Sequence, residues 1–278
     1  VTIRAFRLVL PVLSSVINRR LRMVAETIDE QHLKDPGFES EAAKKRKAYM
    51  LELFGYQAPK YDLHDDIIGM GIHRRWVKDV LKVIGHYMKD KSGLKMLDLA
   101  CGTGFVTFNA TRNFPDLEID AFDLVPEMVE VAKQRYSKSF KDRKINFWVG
   151  DSEVPYGENK YDVIATCFAF RNFANKNLAA QNVYKALKPG GIFIIQDMTK
   201  PEKQPLRALY LFALKYLLPV AGTILGTAKG SPRYLYNSVM LLPKNTDIAK
   251  IMTDNGFADV WHKYQSGGMG TVVAGYKK

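Results

Sequence analysis

One stretch, Lys95 to Asp123 (KMLDLACGTGFVTFNATRNFPDLEIDAFD), limits what this chain can fold into. Residues 95–100 form a short apolar run that reads as a buried parallel strand, closed by a turn hinged on Gly102 and Gly104 and followed by a helix. Glycine lets the backbone turn sharply and approach a ligand closely, and the free N–H groups of the next helix then face that ligand. A second strand over 117–122 ends at Asp123, about twenty residues on, where a carboxylate can accept two hydrogen bonds from a ribose diol. Together these features describe a nucleoside site in an α/β sheet. They do not describe a dinucleotide site: the G-x-G-x-x-G turn needs a third glycine, and Thr107 stands there.

The rest of the chain adds bounds. Its 278 residues fit one α/β domain with an appendage, and 47% hydrophobic content supplies a substantial core. Cys101 and Cys167 fall at predicted strand ends with no C-x-x-C and no histidine cluster beside them. They point to neither a metal site nor a disulfide framework, and they fit a reducing compartment. A formal net charge of +12 suggests an anionic neighbour, nucleic acid or acidic lipid, with a solvated lysine-rich surface as the simpler explanation. Residues 1–25 carry five arginines and no acid, and Ile3, Phe6, Leu10, Leu13, Ile17, Leu21 and Val24 form an apolar stripe that Pro11 interrupts. The stripe suits a membrane-surface helix, a targeting remnant or a helix packed on the domain, and a polar linker with Asp35-Pro36-Gly37 follows. We read residues 1–45 as an N-terminal extension and 46–278 as the main domain, with a helical cap over 46–90 and an apolar insertion over 199–240.

Residues 53–81 crowd Tyr61, Asp62, His64, Asp65, Asp66, His73 and Arg74 onto a segment loosened by Gly69 and Gly71. Dense polar groups on a pliable segment suit a ligand-facing cap. Farther on, Ile145 to Gly150 reads as a third strand ending at Asp151-Ser152, and Tyr161 to Thr166 as a fourth, running into Cys167, Phe168, Arg171 and Asn172. Leu187 to Gly191 reads as a helix end and turn before a strand over 192–196, and two final strands cover 257–264 and 270–276. The insertion carries Leu209, Phe212, Ala213 and Tyr216 at helical spacing, with breaks at Pro219 and Gly222. It suits a roof over a greasy substrate, contact with a bilayer, or an ordinary core or dimer helix.

Two sets of motifs carry a resemblance. Asp98 to Gly104 resembles the D-x-x-x-G-x-G loop of class I S-adenosylmethionine-dependent methyltransferases. Ala58, Lys60, Tyr61, Asp62, Asp66, Gly71, Ile72, His73, Arg74 and Trp76 are similar to the cap signature of the ubiquinone/menaquinone biosynthesis C-methyltransferase family. Phe168, Arg171 and Asn172 match its S-F-G-x-R-N motif, and Ser231, Arg233, Tyr234 and Leu235 match a later element. Asp65, Gly69 and Cys167 depart from the pattern.

The resemblance implies a Rossmann-like, seven-stranded, mostly parallel sheet flanked by helices, with the helical cap at its start and the apolar insertion before the last two strands. It implies S-adenosyl-L-methionine as cofactor, held by Asp98, Ala100, Gly102, Thr103, Gly104, Asp123, Leu124, Asp151, Ser152 and Cys167. Asp151 would accept from the adenine amino group, or else cap the following turn. A thiol at Cys167 is a poorer donor than the family's serine. The implied reaction is C-methylation of a prenylated benzoquinol or naphthoquinol, with Arg171 as the cation for a phenolate and Asn172 and Tyr61 holding a relay water. His73 is a further candidate base and His64 a weaker one. Another phenolic acceptor, or a silent assembly or RNA-binding component, stays open as the alternative. The expected partners are a lipophilic quinol and an anionic membrane touched from the cytoplasmic or mitochondrial-matrix side. A homodimer or biosynthetic complex is left open, and nucleic acid is disfavoured.

Overall fold

The computed structural model describes residues 41–68, 71–224 and 231–278, with the side chains of residues 42, 43, 64, 65, 67 and 68 outside that description. The expectations for residues 1–40, for Gly69, and for the side chains of His64 and Asp65 lie outside it too.

Seven strands make one sheet: β1 (Lys95–Leu99), β2 (Glu118–Asp123), β3 (Ile145–Val149), β4 (Tyr161–Cys167), β5 (Leu187–Met198), β6 (Phe257–Gln265) and β7 (Gly270–Lys277). Their order is β3-β2-β1-β4-β5-β7-β6. The first five run parallel, and β7 is antiparallel to both of its neighbours. Helices cover both faces, which is why β1, β2 and β4 are buried almost without interruption instead of alternating. Successive side chains still part to opposite faces: Met96, Val163 and Ile194 join one core layer, Leu97, Ile164 and Phe193 the other.

Three helices make the cap, α1 (Glu41–Gln57), α2 (Tyr61–Ile68) and α3 (Ile72–Met88). The crossovers are α4 (Phe105–Asn113), α5 (Pro126–Ser139) and α6 (Lys176–Ala186). The insertion holds α7 (Leu206–Phe212), a π turn (Ala213–Leu217), α8 (Leu218–Ile224) and α9 (Ser231–Leu241), and α10 (Asn245–Asp254) leads into β6. After β1 the chain builds outward through β2 and β3, then returns to lay β4 on the other side of β1. A crevice opens where the order reverses, at the carboxyl ends of β1 and β4. Ala100 and Phe168, the residues that leave those two strands, both adopt left-handed backbone (φ 60° and 59°). Such conformations cost non-glycine residues of order 1–3 kcal/mol and cluster at functional sites.

Three boundaries differ from the sequence reading. The domain edge expected at 45/46 falls inside α1, because Arg46 is buried and its Nη2 donates to the carbonyl of Arg171 at 2.6 Å. The turn expected over Leu187 to Gly191 is the start of β5. Leu187 pairs with Tyr161 and the register slips before Ile192 meets Val163, with Gly190 at φ 75° taking up the slip. Pro219 and Gly222 do not break the insertion, which stays helical from Leu206 to Ile224. The wider π turn just before Pro219 makes room for a ring that would otherwise strike a carbonyl one turn back.

Trp76 fastens the cap to the far end of the sheet. Its Nε1 donates to Ser266 Oγ at 2.9 Å, its ring stacks on Phe168 at 6.2 Å, and a Cβ at Gly270 would touch that ring at 3.0 Å. Trp76→Ala is therefore expected to lower the unfolding free energy by about 3–5 kcal/mol in urea denaturation, with the far-ultraviolet circular dichroism of the folded state unchanged.

Candidate active site

The crevice widens into a cavity walled by α1, α2 and α3 on the cap side and by the strand ends of β1, β2, β3 and β4 below. Its floor is the glycine loop, and the two glycines there have different work. Gly102 (φ 55°) has nothing within 4 Å of where a Cβ would stand, so its bare face opens on the cavity. Gly104 (φ 83°) would drive a Cβ to 2.6 Å from the Phe108 ring, and it does not line the cavity. Beside the cofactor role expected of it, Gly104 has a packing role: it lets α4 start close against its own first turn. The absent third glycine is replaced by a hydrogen bond, since Thr107 donates to Asp98 Oδ2 from its amide at 2.9 Å and from its hydroxyl at 2.5 Å. Burial pushes the Asp98 carboxyl up to about 6, against the pull of those two bonds.

Asp123 ties the loop to β2. Its Oδ2 accepts from Gly102 N at 2.8 Å and its Oδ1 from Val125 N at 2.9 Å. Asp123 also lines the cavity, and a carboxylate has acceptor capacity beyond these bonds for a ribose diol. Ala100, Thr103, Leu124, Ser152 and Cys167 also line the cavity. Burial pushes the Cys167 thiol well up, so it presents a neutral S–H. Asp151 accepts from Glu153 N at 2.9 Å through Oδ1, the expected turn cap, and through Oδ2 it holds Lys47 Nζ at 2.7 Å. Glu153, nearly fully buried, meets the same ammonium at 2.8 Å and accepts from the amides of Ala174 and Asn175. Residues 44–47 thus belong to α1. Lys47, Met50 and Phe54 share one face of α1 and all line the cavity, so carrying the helical spacing back from Phe54 finds Lys47.

On the cap side Asp62 grips the loop directly: Thr103 Oγ1 donates to its Oδ1 at 2.6 Å, and Arg135 of α5 pairs with its Oδ2. One turn on, Asp66 accepts from Arg74 Nε at 2.8 Å and Nη2 at 2.5 Å, and His73 Nε2 lies 3.2 Å from its Oδ1. The Arg74 bonds hold the Asp66 carboxyl below the usual carboxylate range. Burial pushes the His73 imidazole down from its ordinary value, despite the pull of Asp66.

Of the four residues expected to act on a substrate, Tyr61, His73 and Asn172 line the cavity and Arg171 does not. Arg171 is buried behind the wall, with Nη1 2.5 Å from Asp197 Oδ1, a second bond to the carbonyl of Phe168, and its amide donating to Asp197 Oδ2 at 2.8 Å. The role of free cation for a phenolate is corrected accordingly. The guanidinium is neutralised by Asp197 and fixes the turn that presents Asn172. Asn172 Oδ1 in turn accepts from Tyr234 OH at 3.0 Å, and Tyr234 packs on Tyr49 at 5.3 Å, tying α9 to α1. Sequence reasoning missed Asp197, Arg46 and Lys47. Tyr234 carried a motif match without a role.

The residues fit S-adenosylmethionine. The loop offers a bare glycine face, Asp123 retains acceptors beside it, and Asp151 and Ser152 lie across the same space. The sequence profile of the ubiE/COQ5 methyltransferase family matches residues 41–277. The ubiquinone/menaquinone biosynthesis C-methyltransferase UbiE of Haemophilus ducreyi is 30% identical over 87% of this chain and 92% of its own length. That of Rhodopseudomonas palustris is 30% identical over 87% and 96%. Among solved structures, the CurJ carbon methyltransferase matches 86% of this chain and 68% of its own at a TM-score of 0.59 and 19% identity. Phosphoethanolamine N-methyltransferase 2 of Haemonchus contortus, in complex with S-adenosyl-L-methionine, matches 72% of this chain and 52% of its own at 0.55 and 17%. At these identities the solved structures speak for the fold alone.

A buried pair behaves differently when one partner goes than when both do. Asp197→Ala leaves the Arg171 charge uncompensated and is expected to cost about 3–5 kcal/mol in urea denaturation, whereas Arg171→Met with Asp197→Leu together recovers most of that loss.

Proposed function

The chain belongs to the ubiE/COQ5 methyltransferase family and is an S-adenosylmethionine-dependent methyltransferase, and we propose that its acceptor is a ring carbon of a prenylated quinol. The observation that carries this reading is a single cavity that holds both halves of the chemistry. Asp123 and Gly102, which would hold a nucleoside, line it together with the polar Tyr61 and Asn172 and the aromatic Phe54, Phe168 and Phe173, and the Phe54 and Tyr61 rings lie 6.1 Å apart. The curated relatives named above carry out C-methylation in ubiquinone and menaquinone biosynthesis by name.

When bound, S-adenosylmethionine supplies an electrophilic methyl group on a sulfonium sulfur. Asp123 would hold the ribose, Asp151 and Ser152 the adenine, and Gly102 and Thr103 the amino-acid end. The protein's own work is to orient the ring and make one of its carbons electron-rich, which a phenol achieves when its hydroxyl proton leaves. Tyr61 and Asn172 are polar groups placed to position a ring oxygen, and the surrounding aromatic side chains exclude water from it.

The insertion supports a lipophilic acceptor. Leu206–Ile224 is long and apolar enough to cross a membrane by length and composition. Leu214 and Leu218 nevertheless pack on Val239 of α9, while Leu209, Phe212, Tyr216, Leu217, Val220 and Ile224 are 50–80% exposed. A helix with one face held by its own domain and the other bare suits the surface of a bilayer rather than its interior. Lys203, Arg207 and Lys215 flank the bare face, with no acid between Leu206 and Ile224, which favours anionic headgroups.

Labelled methyl transfer from S-adenosylmethionine to short-tailed demethylated benzoquinols and naphthoquinols under reducing conditions is expected to select one ring class. Asn172→Leu should lower the rate at least tenfold, with the cofactor dissociation constant within about twofold. Cofactor binding without transfer to any quinol would overturn the acceptor assignment. Sedimentation with vesicles is expected to show binding to anionic but not zwitterionic lipid, lost on Leu209→Glu with Ile224→Glu. A concentration-dependent dimer that the same changes dissolve, with no lipid binding, would assign the face to a second copy.

A further inference from the structure

We infer that His73 takes the hydroxyl proton of the acceptor ring and that Asp66 holds its imidazole in the one tautomer able to do so; this rests on the quinol reading for the identity of the proton donor. Nε2 lies 3.2 Å from the Asp66 carboxylate, a pure acceptor that Arg74 keeps ionised from its other side. A proton on Nε2 would face that carboxylate, whereas a lone pair there would be repelled by it, so the neutral ring is favoured with its proton on Nε2 and a lone pair on Nδ1. Among the described residues Nδ1 is buried and has no hydrogen-bond partner, although the His73 side chain lines the cavity. A buried acceptor left unpaired costs about 1–3 kcal/mol, so Nδ1 favours a donor arriving from the cavity, a water or the hydroxyl of a ligand.

The ring is also held in place: it tilts against Phe105 at a centroid distance of 5.3 Å, at the start of the helix that leaves the glycine loop. Asp62 and Asp66 of α2 face it with negative charge, Arg74 of its own helix with positive charge, and Arg135 of α5 is engaged by Asp62. These charges nearly balance, and burial keeps the imidazole neutral over a wider pH range than an exposed histidine. In the proposed step the acceptor's O–H bond breaks and an Nδ1–H bond forms. The imidazolium so created faces the Asp66 carboxylate until its proton passes to water. Asp66 is a positioning residue, and His73 the catalytic one.

Two measurements on the full chain test this. Nitrogen-detected imidazole NMR should find His73 protonated at Nε2, bare at Nδ1, and neutral below the ordinary histidine midpoint of about 6.5. Asp66→Asn should mix the two tautomers. In transfer assays with the best quinol, His73→Gln is expected to lower kcat about a hundredfold or more at pH 7, with cofactor and quinol dissociation constants within twofold. The variant should regain rate toward pH 10, where a phenolic hydroxyl ionises unaided. Asp66→Asn should show a smaller loss of the same kind. An Nδ1–H tautomer, an unchanged kcat in His73→Gln, or a loss confined to cofactor affinity would each overturn the assignment. Should no quinol accept a methyl group from the wild-type protein, the quinol reading fails, while the tautomer measurement still decides the state of His73.

Discussion

The hydrogen bond from Gly102 N to Asp123 Oδ2 places the cofactor half of the molecule. It joins the turn after β1 to the end of β2, and a second bond, Cys101 N to Phe122 O at 2.9 Å, makes the join rigid. With the turn fixed, Ala100 can be kept in left-handed backbone and α4 can start in one direction only. Asp98, beneath the loop, then locks the first turn of α4 through Thr107. A dinucleotide turn reaches the same end by packing a third glycine under the helix. Here Gly104 supplies the close packing and a side-chain hydrogen bond the lock, while the bare face of Gly102 opens on the cavity.

The cap is fastened to this frame at points on both sides of the cavity. Asp62 holds Thr103 of the loop, Lys47 holds Asp151 and Glu153 after β3, and Arg46 holds the carbonyl of Arg171 after β4. Arg46 and Lys47 are neighbours in α1 and reach different walls. A change in how α1 seats is therefore felt at once by the nucleoside end and by the turn that carries Asn172. Exposed ion pairs contribute little to stability, but these are partly or wholly buried and geometrically specific, so they fix orientation more than they add energy.

Much of the fold was legible because its rules are local. Continuous apolar runs gave the parallel strands, and the glycines and Asp123 gave the crevice. What escaped needed the sheet to be assembled first. Asp197 meets Arg171 only because β5 lies beside β4, and nothing near either residue in the chain announces the pair. The reason for a glycine is likewise silent in sequence: Gly102 and Gly104 look alike until one is seen to face a cavity and the other Phe108. In the insertion the apolar spacing was right and its direction was open. Leu209, Phe212 and Tyr216 form a stripe, but α9 covers the other side of the helix and the stripe stays bare. Pro219 misled because a proline breaks a regular helix, and the π turn before it is not regular.

The partners of the cavity's side chains also restrict its proton chemistry. Among the described residues lining the cavity, Asp62 is held by Thr103 and Arg135, Asp66 by Arg74, and Asp151 and Glu153 by Lys47. A carboxylate tied to a cation is a weak base, because accepting a proton would strand the cation. Burial raises Asp98 and Asp123, which would make them better bases, but both accept from the backbone that shapes the loop, and protonating either would loosen its own support. The buried thiols Cys101 and Cys167 are pushed toward the neutral form and cannot supply a thiolate. A neutral imidazole is the group that can take a proton here without breaking a bond the architecture relies on. Its second nitrogen already sits on a carboxylate that welcomes the charge, which is why the chemistry converges on His73.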